Sequence, residues 1–277
     1  MPQLSRLSEQ SPQQLGHQIR RIVIEQSWRA HVGHIGSALS VADLVAVLFG
    51  AVLRGDPEDP DRDRFILSKG HAALALYAGL HCRGLMSSDE LNRYCSDGTA
   101  LGAHPEHAVT GIDFSTGSLG HGPSLAVGCA LAARMQEGPR RVYALISDAE
   151  LNEGSLWEAV MFASHHRLGR LTFVLDLNAQ QALGYTRDVL DVGNVDKRFE
   201  AFGWRVSDVD GHNHAALLSA LAPDSAPVGP PHLVVAHTTF GSGVSFMENR
   251  IDWHYLPLSD EQYERATIEL DSSVVAS

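Results

Sequence analysis

Two apolar strands, each followed by a polar side chain, constrain the fold of this chain more than any other feature. The run 142–146 is followed by Asp148, the run 171–175 is followed by Asn178, and a helical stretch lies between the runs. This order predicts a pair of parallel strands, whose carboxyl ends lie at one edge of a sheet. Open α/β sheets bind their ligands at that edge. We therefore expect Asp148 and Asn178 to lie close together at a ligand site.

The rest of the chain continues the alternation of helices and strands. Apolar spacing predicts further strands at 65–67, 204–209 and 233–236, and helices at 12–30, 41–53, 72–81, 87–95 (with Ser88 as N-cap), 124–135, 196–202 and 215–221. This alternation predicts an α/β fold, with a mostly parallel sheet flanked by helices on both faces. We assign residues 1–240 to one domain and residues 241–277 to a C-terminal extension that wraps over the surface or a partner. The aperiodic, Gly- and His-rich stretch 97–123 is too long for a simple connection, which favours a functional loop.

Composition excludes several classes of partner. Asp and Glu number 33 against 21 Lys and Arg, and the net charge of −12 argues against nucleic acid, which clustered cations bind. The apolar stretch 39–53 is interrupted by Asp43 and is too short to span a bilayer. The start, residues 1–14, is polar and lacks the apolar region of a signal peptide. Three widely spaced cysteines predict no disulfide framework, so we expect a cytoplasmic protein.

The pair at the sheet edge has the chemistry of a magnesium site. Mg²⁺ prefers octahedral oxygen ligands and usually shares them with substrate phosphates. Asp148 offers a carboxylate oxygen, Asn178 an amide oxygen and Gln180 a backbone carbonyl, while a diphosphate and water would complete the octahedron. A helix that begins near Gly154 would point its N-terminus at the anion. The alternative interpretation is that Asp148 and Asn178 are ordinary turn residues, which are common after strands.

A series of further segments, in a fixed order, resembles one family. The chain resembles the N-terminal, diphosphate-binding half of a transketolase, in the form of the separate subunit of a split, two-component transketolase. The segments span about residues 15–260 and are 33–37 (GHIGS), 67–71 (LSKGH), 103–106 (AHPE), 115–122 (STGSLGHG), 148–158, 176–184 and 240–254. The resemblance implies the thiamine diphosphate-binding fold, of the type that holds the diphosphate.

The resemblance also implies cofactors and roles for individual residues. The cofactors are thiamine diphosphate and Mg²⁺, and the metal ligands are Asp148, Asn178 and the carbonyl of Gln180. The catalytic histidines, which contact the diphosphate, the substrate hydroxyls or the developing alkoxide, are His34, His71, His104 and His254. The cofactor contacts are His71, Ser118, Leu119, Asp148, Ala149, Glu150, Asn178 and His254. His121 has a secondary position near the cofactor, and Glu153 is a candidate for a subunit contact or a hydrogen-bond relay.

The implied reaction is the transfer of a two-carbon ketol unit from a ketose donor, often a phosphate, to an aldehyde acceptor. Histidine suits this reaction because it moves protons near neutral pH and donates to an alkoxide. The resemblance covers only half of a transketolase. It therefore implies a C-terminal partner subunit that supplies the pyrimidine-binding domain and the activating glutamate, in an α₂β₂ assembly.

Two departures from the family pattern leave the function open at this stage. The family usually has Gly-Asp-Gly where this chain has Ser147, Asp148 and Ala149, so a Cβ at Ala149 would crowd the diphosphate or cost about 1 kcal/mol if φ is positive. Tyr255 stands where a glycine commonly follows the histidine, and it could narrow the substrate funnel. Two alternatives follow, namely an acyloin synthase that uses a non-sugar acceptor and a non-catalytic scaffold subunit.

Overall fold

A parallel sheet forms the centre of the molecule. The computed structural model describes residues 10–222 and 226–275. Its strands are β1 (Arg64–Leu67), β2 (Val142–Ser147), β3 (Leu171–Leu177), β4 (Gln180–Gln181), β5 (Gly184–Tyr185), β6 (Arg205–Asp210) and β7 (His232–His237). Over that part of the chain, five of them form one parallel sheet in the order β1-β2-β3-β7-β6, while β4 and β5 form a short antiparallel hairpin. The observed strand order places β2 beside β3, as the sequence predicts.

Helices cover both faces of the sheet. They are α1 (Pro12–Ala30), α2 (Ile35–Ser40), α3 (Ala42–Val47), α4 (Ala73–Cys82), α5 (Ser88–Leu91), α6 (His121–Met135), α7 (Gly154–His165), α8 (Thr186–Leu190), α9 (Val195–Ala201), α10 (His214–Ala220) and α11 (Asp260–Val275). Short 3₁₀ turns lie at Gly70–Ala72, Ala149–Asn152 and Ile251–His254. None of the helices in the described ranges is long and apolar enough to cross a membrane.

Alternate residues along each central strand enter two different cores. On β2, Ala144 and Ile146 pack with α6, α7 and α9, while Tyr143 and Leu145 pack with the core of α1, α3 and α4. Successive side chains of a strand point to opposite faces, so both faces need apolar residues and the strand is apolar throughout. The predicted fold class, a parallel sheet with helices on both sides, is therefore confirmed.

Several element boundaries differ from the predicted ones. Helix α5 covers only Ser88–Leu91, and its N-cap is Ser87, not Ser88, because Ser87 forms a capping box with Glu90. Helix α6 begins three residues early, at His121, after Gly120 adopts a φ of 86° as N-cap. Pro123 lies in its first turn, where the missing N–H has no helical partner to lose. The predicted helix 41–53 is divided into α3 and the π-helical turn Leu48–Val52.

The C-terminal segment packs against the domain itself. Helix α11 lies along α1, where Tyr263 stacks on Trp28 with ring centroids 4.3 Å apart. Phe240 and Leu270 are buried in the same core as α1 and α4. The boundary proposed at residue 240 stays a prediction. Most of the polar start, residues 1–9, lies outside the described residues, as do residues 276–277.

Candidate functional site

A cavity of about 310 Å³ opens at the carboxyl ends of β2 and β3. Ser147 at the end of β2 lies opposite Asp176 of β3 in the sheet register, which brings the segments after both strands to one edge. The cavity is lined by His34, Ser37, Lys69, His71, His104, Leu119, Ser147, Ala149, Asn152, Glu153, Asn178, Gln180, Gln181, Ala182 and His254. Its volume falls within the range of small-molecule sites. The predicted ligand edge of the sheet is therefore where the cavity lies.

The four predicted histidines meet in this cavity from four separate segments. His34 is the N-cap of α2, His71 and His254 lie in 3₁₀ turns, and His104 lies in the long loop before α6. The ring centroid of His34 is 5.5 Å from that of His71, 6.2 Å from that of His104 and 5.1 Å from that of His254. We call these four residues the histidine cluster. The cluster places several proton-transfer groups within reach of one bound molecule.

Burial keeps three members of the histidine cluster neutral. It lowers the pKa of His34, and it lowers the pKa of His71 well below its usual range, where the charge of Lys69 adds to the effect. Burial and the neighbouring His34 lower the pKa of His254 to about 4. In the described chain, the Nδ1 atoms of His34 and His254 are buried without a hydrogen-bond partner. These atoms are free to bind a hydroxyl or an oxyanion, since each neutral ring can donate or accept.

The Asn178 amide lines the cavity, and the Asp148 carboxylate is buried next to the lining residues Ser147 and Ala149. Asp148 is 1% exposed, and its carboxylate accepts hydrogen bonds from the Ala149 N–H at 2.8 Å and the Thr186 hydroxyl at 2.9 Å. The Asn178 side chain donates through Nδ2 to Ser40 and to Asp176, which leaves Oδ1 as its acceptor atom. That oxygen accepts from the Gln180 N–H at 3.0 Å and retains a second lone pair.

The electrostatics around Asp148 fit a bound cation. Burial, together with the negative charge of Asp176, raises the pKa of Asp148 to about 7. A divalent cation beside Asp148 would offset both effects. No group of three or more His, Cys, Asp or Glu in the described ranges is arranged to hold a metal ion. A cation here would therefore depend on one carboxylate, an amide oxygen, a backbone carbonyl and oxygens of the ligand.

The sequence patterns did not predict a buried ion pair next to Asn178. The Lys69 ammonium pairs with the Asp176 carboxylate, and the two side chains are 1% and 0% exposed. Asp176 also accepts from the Ser40 hydroxyl at 2.8 Å, the Asn178 amide at 3.0 Å and the Thr238 hydroxyl. We call Asp148, Asn178 and these supporting residues the polar corner. The sequence contained one signal for this ion pair, namely an acid directly after an apolar run. If such a carboxylate is buried, it requires buried donors.

The remaining predicted cofactor contacts take different positions. Leu119 and Ala149 line the cavity, whereas Ser118 is exposed and does not. Glu150 is fully buried behind the wall, where it accepts from the Gly120 N–H at 2.7 Å, the Ser147 N–H at 3.3 Å and the Ser68 hydroxyl. Glu150 therefore holds the turn before α6 against the end of β2. The cofactor roles of all four residues stay predictions.

The expected backbone cost at Ala149 does not arise. Ala149 begins a 3₁₀ turn and is not among the residues with positive φ, so a side chain fits there without strain. The left-handed residue near the polar corner is instead Ala179, with a φ of 63°. Glu153 lines the cavity as the N-cap of α7, which begins at Gly154 as predicted. His121 is exposed at the start of α6 and is not among the lining residues, so its secondary role near the cofactor stays a prediction.

Comparison with known proteins identifies the domain. The family described as transketolase, thiamine diphosphate binding domain, matches residues 11–272. The 6-deoxy-6-sulfo-D-fructose transketolase subunit SqwG of Clostridium sp. (strain MSTE9) is 38% identical over 257 residues, covering 91% of this chain and 94% of that protein. An apulose-4-phosphate transketolase subunit from Phocaeicola vulgatus is 36% identical over 258 residues, covering 92% of each protein.

Solved transketolases share the fold over nearly the whole chain. The transketolase from Campylobacter jejuni superposes with a TM-score of 0.85 at 29% identity and covers 94% of this chain. A Pichia stipitis transketolase in complex with sedoheptulose 7-phosphate superposes with a TM-score of 0.86 at 27% identity. The match spans only 42% and 40% of those two chains, so this chain corresponds to less than half of their length. The chain therefore belongs to the transketolases, a family of thiamine diphosphate-dependent transferases, and corresponds to their thiamine diphosphate-binding domain.

Proposed function

We propose that this chain is the cofactor-binding subunit of a two-component transketolase, which transfers a two-carbon ketol unit from a ketose to an aldehyde. The observation that carries the proposal is the arrangement of one cavity. Asn178 and Lys69 of the polar corner line it together with four histidines, three of which have lowered pKa values. A metal-anchored diphosphate would need the polar corner, and a polyhydroxylated substrate beside it would need the histidine cluster.

The polar corner provides the ligands for Mg²⁺ and the diphosphate. Asp148, the Oδ1 of Asn178 and the carbonyl of Gln180 would hold the metal, and Asp176 fixes which atom of the Asn178 amide is available. The N-terminus of α7 begins beside the cavity at Gly154, where its unpaired N–H groups favour an anion. When bound, thiamine diphosphate supplies the carbanion chemistry of ketol transfer.

The histidine cluster handles protons and hydroxyl groups. The lowered pKa values mean that His34, His71 and His254 are neutral at pH 7, so they can accept a proton from a substrate hydroxyl. The buried, unpartnered Nδ1 atoms of His34 and His254 are suited to hold the oxygen atoms of the substrate. We infer that His104, whose ring lies 6.2 Å from that of His34, binds the same molecule.

The donor is expected to be a ketose with an anionic end. Two relatives are named for 6-deoxy-6-sulfo-D-fructose and for apulose 4-phosphate, which carry a sulfonate and a phosphate. Lys69 lines the cavity, but its ammonium is held by Asp176. We therefore infer that cations of the partner subunit bind the anionic end. The donor panel to test is xylulose 5-phosphate, 6-deoxy-6-sulfo-D-fructose and apulose 4-phosphate.

The partner is a C-terminal transketolase subunit, in an α₂β₂ complex within the cytoplasm. Several relatives of similar length are named as subunits, and the chain spans less than half of the solved transketolases. The partner would supply the pocket for the aminopyrimidine ring and its activating glutamate. Cys82, Cys95 and Cys129 are free thiols, in keeping with a reducing compartment. Light scattering of the co-expressed pair measures the stoichiometry.

Calorimetric titration of the pair with Mg²⁺ and thiamine diphosphate tests the proposal. We expect saturable binding that weakens at least about 100-fold in Asp148→Ala and in Asn178→Ala. The control is Asp188→Ala on α8, since the Asp188 side chain is 63% exposed. Absence of binding by the wild-type pair would establish the scaffold alternative. Turnover with non-sugar acceptors but with no aldose would establish the acyloin synthase alternative.

A further inference from the structure

The side chain of Tyr255 connects two segments that line the cavity. Tyr255 is 56% exposed, and its hydroxyl donates a hydrogen bond to the carbonyl of Ala182. Ala182 belongs to the turn of the β4–β5 hairpin, and His254 ends the 3₁₀ turn on the other side. Both residues line the cavity. The phenol ring therefore connects two walls that approach the cavity from different parts of the chain.

The backbone that carries Tyr255 is fixed from behind. A Cβ on Gly33 would lie 2.4 Å from the carbonyl oxygen of Tyr255, so the two segments are in direct backbone contact. The N–H of His34 donates to the carbonyl of His254 at 3.3 Å, and the Tyr255 N–H donates to Asp252 at 3.0 Å. Because the backbone cannot withdraw towards Gly33, the position of the ring beside His254 follows from the packing.

The side chain at this position is not required by the backbone. Tyr255 has a φ of −122°, which any residue adopts, so a glycine or a phenylalanine would fit without strain. The residues that follow the two ends of the bridge in sequence are also exposed, namely Leu183 after Ala182, 80% exposed, and Leu256 after Tyr255, 51% exposed. The ring is thus an addition beside the cavity and not a support of the fold.

We propose that Tyr255 is a specificity-determining residue, whose bridge to Ala182 limits the chain length of the aldehyde acceptor. This inference rests on the proposed function and deepens it. The reacting carbon of an acceptor must reach the histidine cluster, and the ring centroid of Tyr255 lies 5.1 Å from that of His254. A longer acceptor that extends past His254 towards the hairpin therefore meets the bridge, whereas a two-carbon acceptor ends beside the histidines.

Acceptor kinetics test the proposal in the reconstituted pair, with one ketose donor and unphosphorylated aldoses of increasing length. In Tyr255→Gly we expect the ratio of kcat/KM for ribose to that for glycolaldehyde to rise about tenfold, mainly through a lower KM for ribose. Tyr255→Phe keeps the ring and loses the hydrogen bond, so its ratio should rise less. The control, Leu183→Ala, changes the same hairpin and should leave the ratio unchanged. A purely structural role of Tyr255 would reduce kcat/KM for all acceptors equally.

Hydrogen exchange tests the bridge without turnover. We expect the amides of residues 181–185 to exchange about tenfold faster in Tyr255→Phe than in the wild-type chain, since about 1.4 kcal/mol of hydrogen bonding is lost. Unchanged exchange would overturn the bridge. An active pair with an unchanged acceptor ratio in Tyr255→Gly would overturn the specificity role and leave the proposed function intact. A wild-type pair that binds the cofactor but uses no acceptor would overturn both.

Discussion

The polar corner and the histidine cluster face the same cavity but are built in opposite ways. In the polar corner, Asp176 accepts from four donors and both oxygens of Asp148 have partners. In the histidine cluster, the Nδ1 atoms of His34 and His254 are buried with no partner in the described chain. The polar corner is therefore organised before any ligand binds, whereas the histidine cluster keeps its hydrogen-bonding capacity for the ligand.

The two regions also differ in the elements that carry them. In the polar corner, Asp176 lies in the central strand β3, while Asp148 and Asn178 directly follow β2 and β3. The histidines lie in turns, in a loop and at a helix N-cap, where His34 has a left-handed φ of 60°. Ligand groups held by a rigid sheet fix a metal precisely in space, while loops supply the chemistry that differs between relatives. The contrast predicts that substitutions in the polar corner reduce stability more than those in the histidine cluster.

The largest effect is expected for Asp176→Asn. This variant leaves the Lys69 ammonium buried without a counter-charge, which typically costs about 3–5 kcal/mol. Urea denaturation of the chain measures the loss in the free energy of unfolding. The control is Asp208→Asn on β6, the edge strand of the same sheet, since the Asp208 side chain is 50% exposed and pairs at the surface with His237. Equal losses in the two variants would refute the special status of the polar corner.

The double variant Lys69→Met with Asp176→Leu sharpens the same test. It removes both buried charges, so it should recover part of the stability that Asp176→Asn loses. The Asn178 amide would no longer be oriented by Asp176, so Mg²⁺ affinity should stay low. Recovery of stability without recovery of metal binding would separate the structural role of the ion pair from its role in positioning Asn178.

The histidine cluster should lose stability in acid through the protonation of His254. The pKa of His254 is about 4 in the folded chain, below the usual 6.5, so between these values the unfolded chain binds more protons. His254 therefore does not reduce the free energy of unfolding above pH 6.5. As the pH falls towards 4, it reduces this free energy by up to about 3 kcal/mol. Relative to His254→Gln, the wild type should lose stability over this interval. If the difference in the free energy of unfolding between the wild type and His254→Gln is independent of pH, the lowered pKa of His254 is contradicted. The control is His107→Gln, which changes an exposed histidine.

A smaller effect is expected for Glu150→Gln at the edge of the polar corner. The amide keeps one oxygen but directs an NH₂ group at the backbone N–H of Gly120 or of Ser147, which cannot reverse its direction. One buried donor is then left unsatisfied, at a cost of about 2 kcal/mol. Denaturation measures the loss, and Glu158→Gln on the exposed side of α7 is the matched control. Faster amide exchange at Gly120 should accompany the loss.

The alternation of apolar runs was enough to predict the parallel sheet and its covered faces. The predicted lengths failed where side chains determine the end of an element, as at Ser87, whose capping box with Glu90 moves the start of α5. Strand β3 continues to Leu177, past the predicted end at residue 175, because the carboxylate of Asp176 is neutralised by Lys69 inside the protein. The apolar periodicity around Asp176 gives no information about Lys69, which lies more than a hundred residues away in the sequence.

The sequence predicted those residues of the candidate site that stand at single positions of the family's motifs. His34, His71, His104 and His254 all line one cavity, as their common resemblance implied. The supporting residues were not predicted, because Ser40 and Thr238 become relevant only after the chain folds around Asp176. Tyr255 was noted as a departure, but its hydrogen bond to Ala182 depends on a hairpin that the sequence did not predict.

The smallest effect concerns Ala179, whose left-handed φ of 63° lies between Asn178 and Gln180. In this conformation a Cβ costs about 1–2 kcal/mol, and the greater entropy of glycine in the unfolded chain cancels part of the gain. Ala179→Gly should therefore raise the free energy of unfolding by about 0.5–1 kcal/mol. Ala182→Gly in the hairpin that follows, where φ is not positive, should lower it. Because side-chain hydrogen bonds hold the polar corner, Mg²⁺ affinity should not change in Ala179→Gly; a marked loss would mean that the strained backbone, and not Asp176, orients the metal ligands.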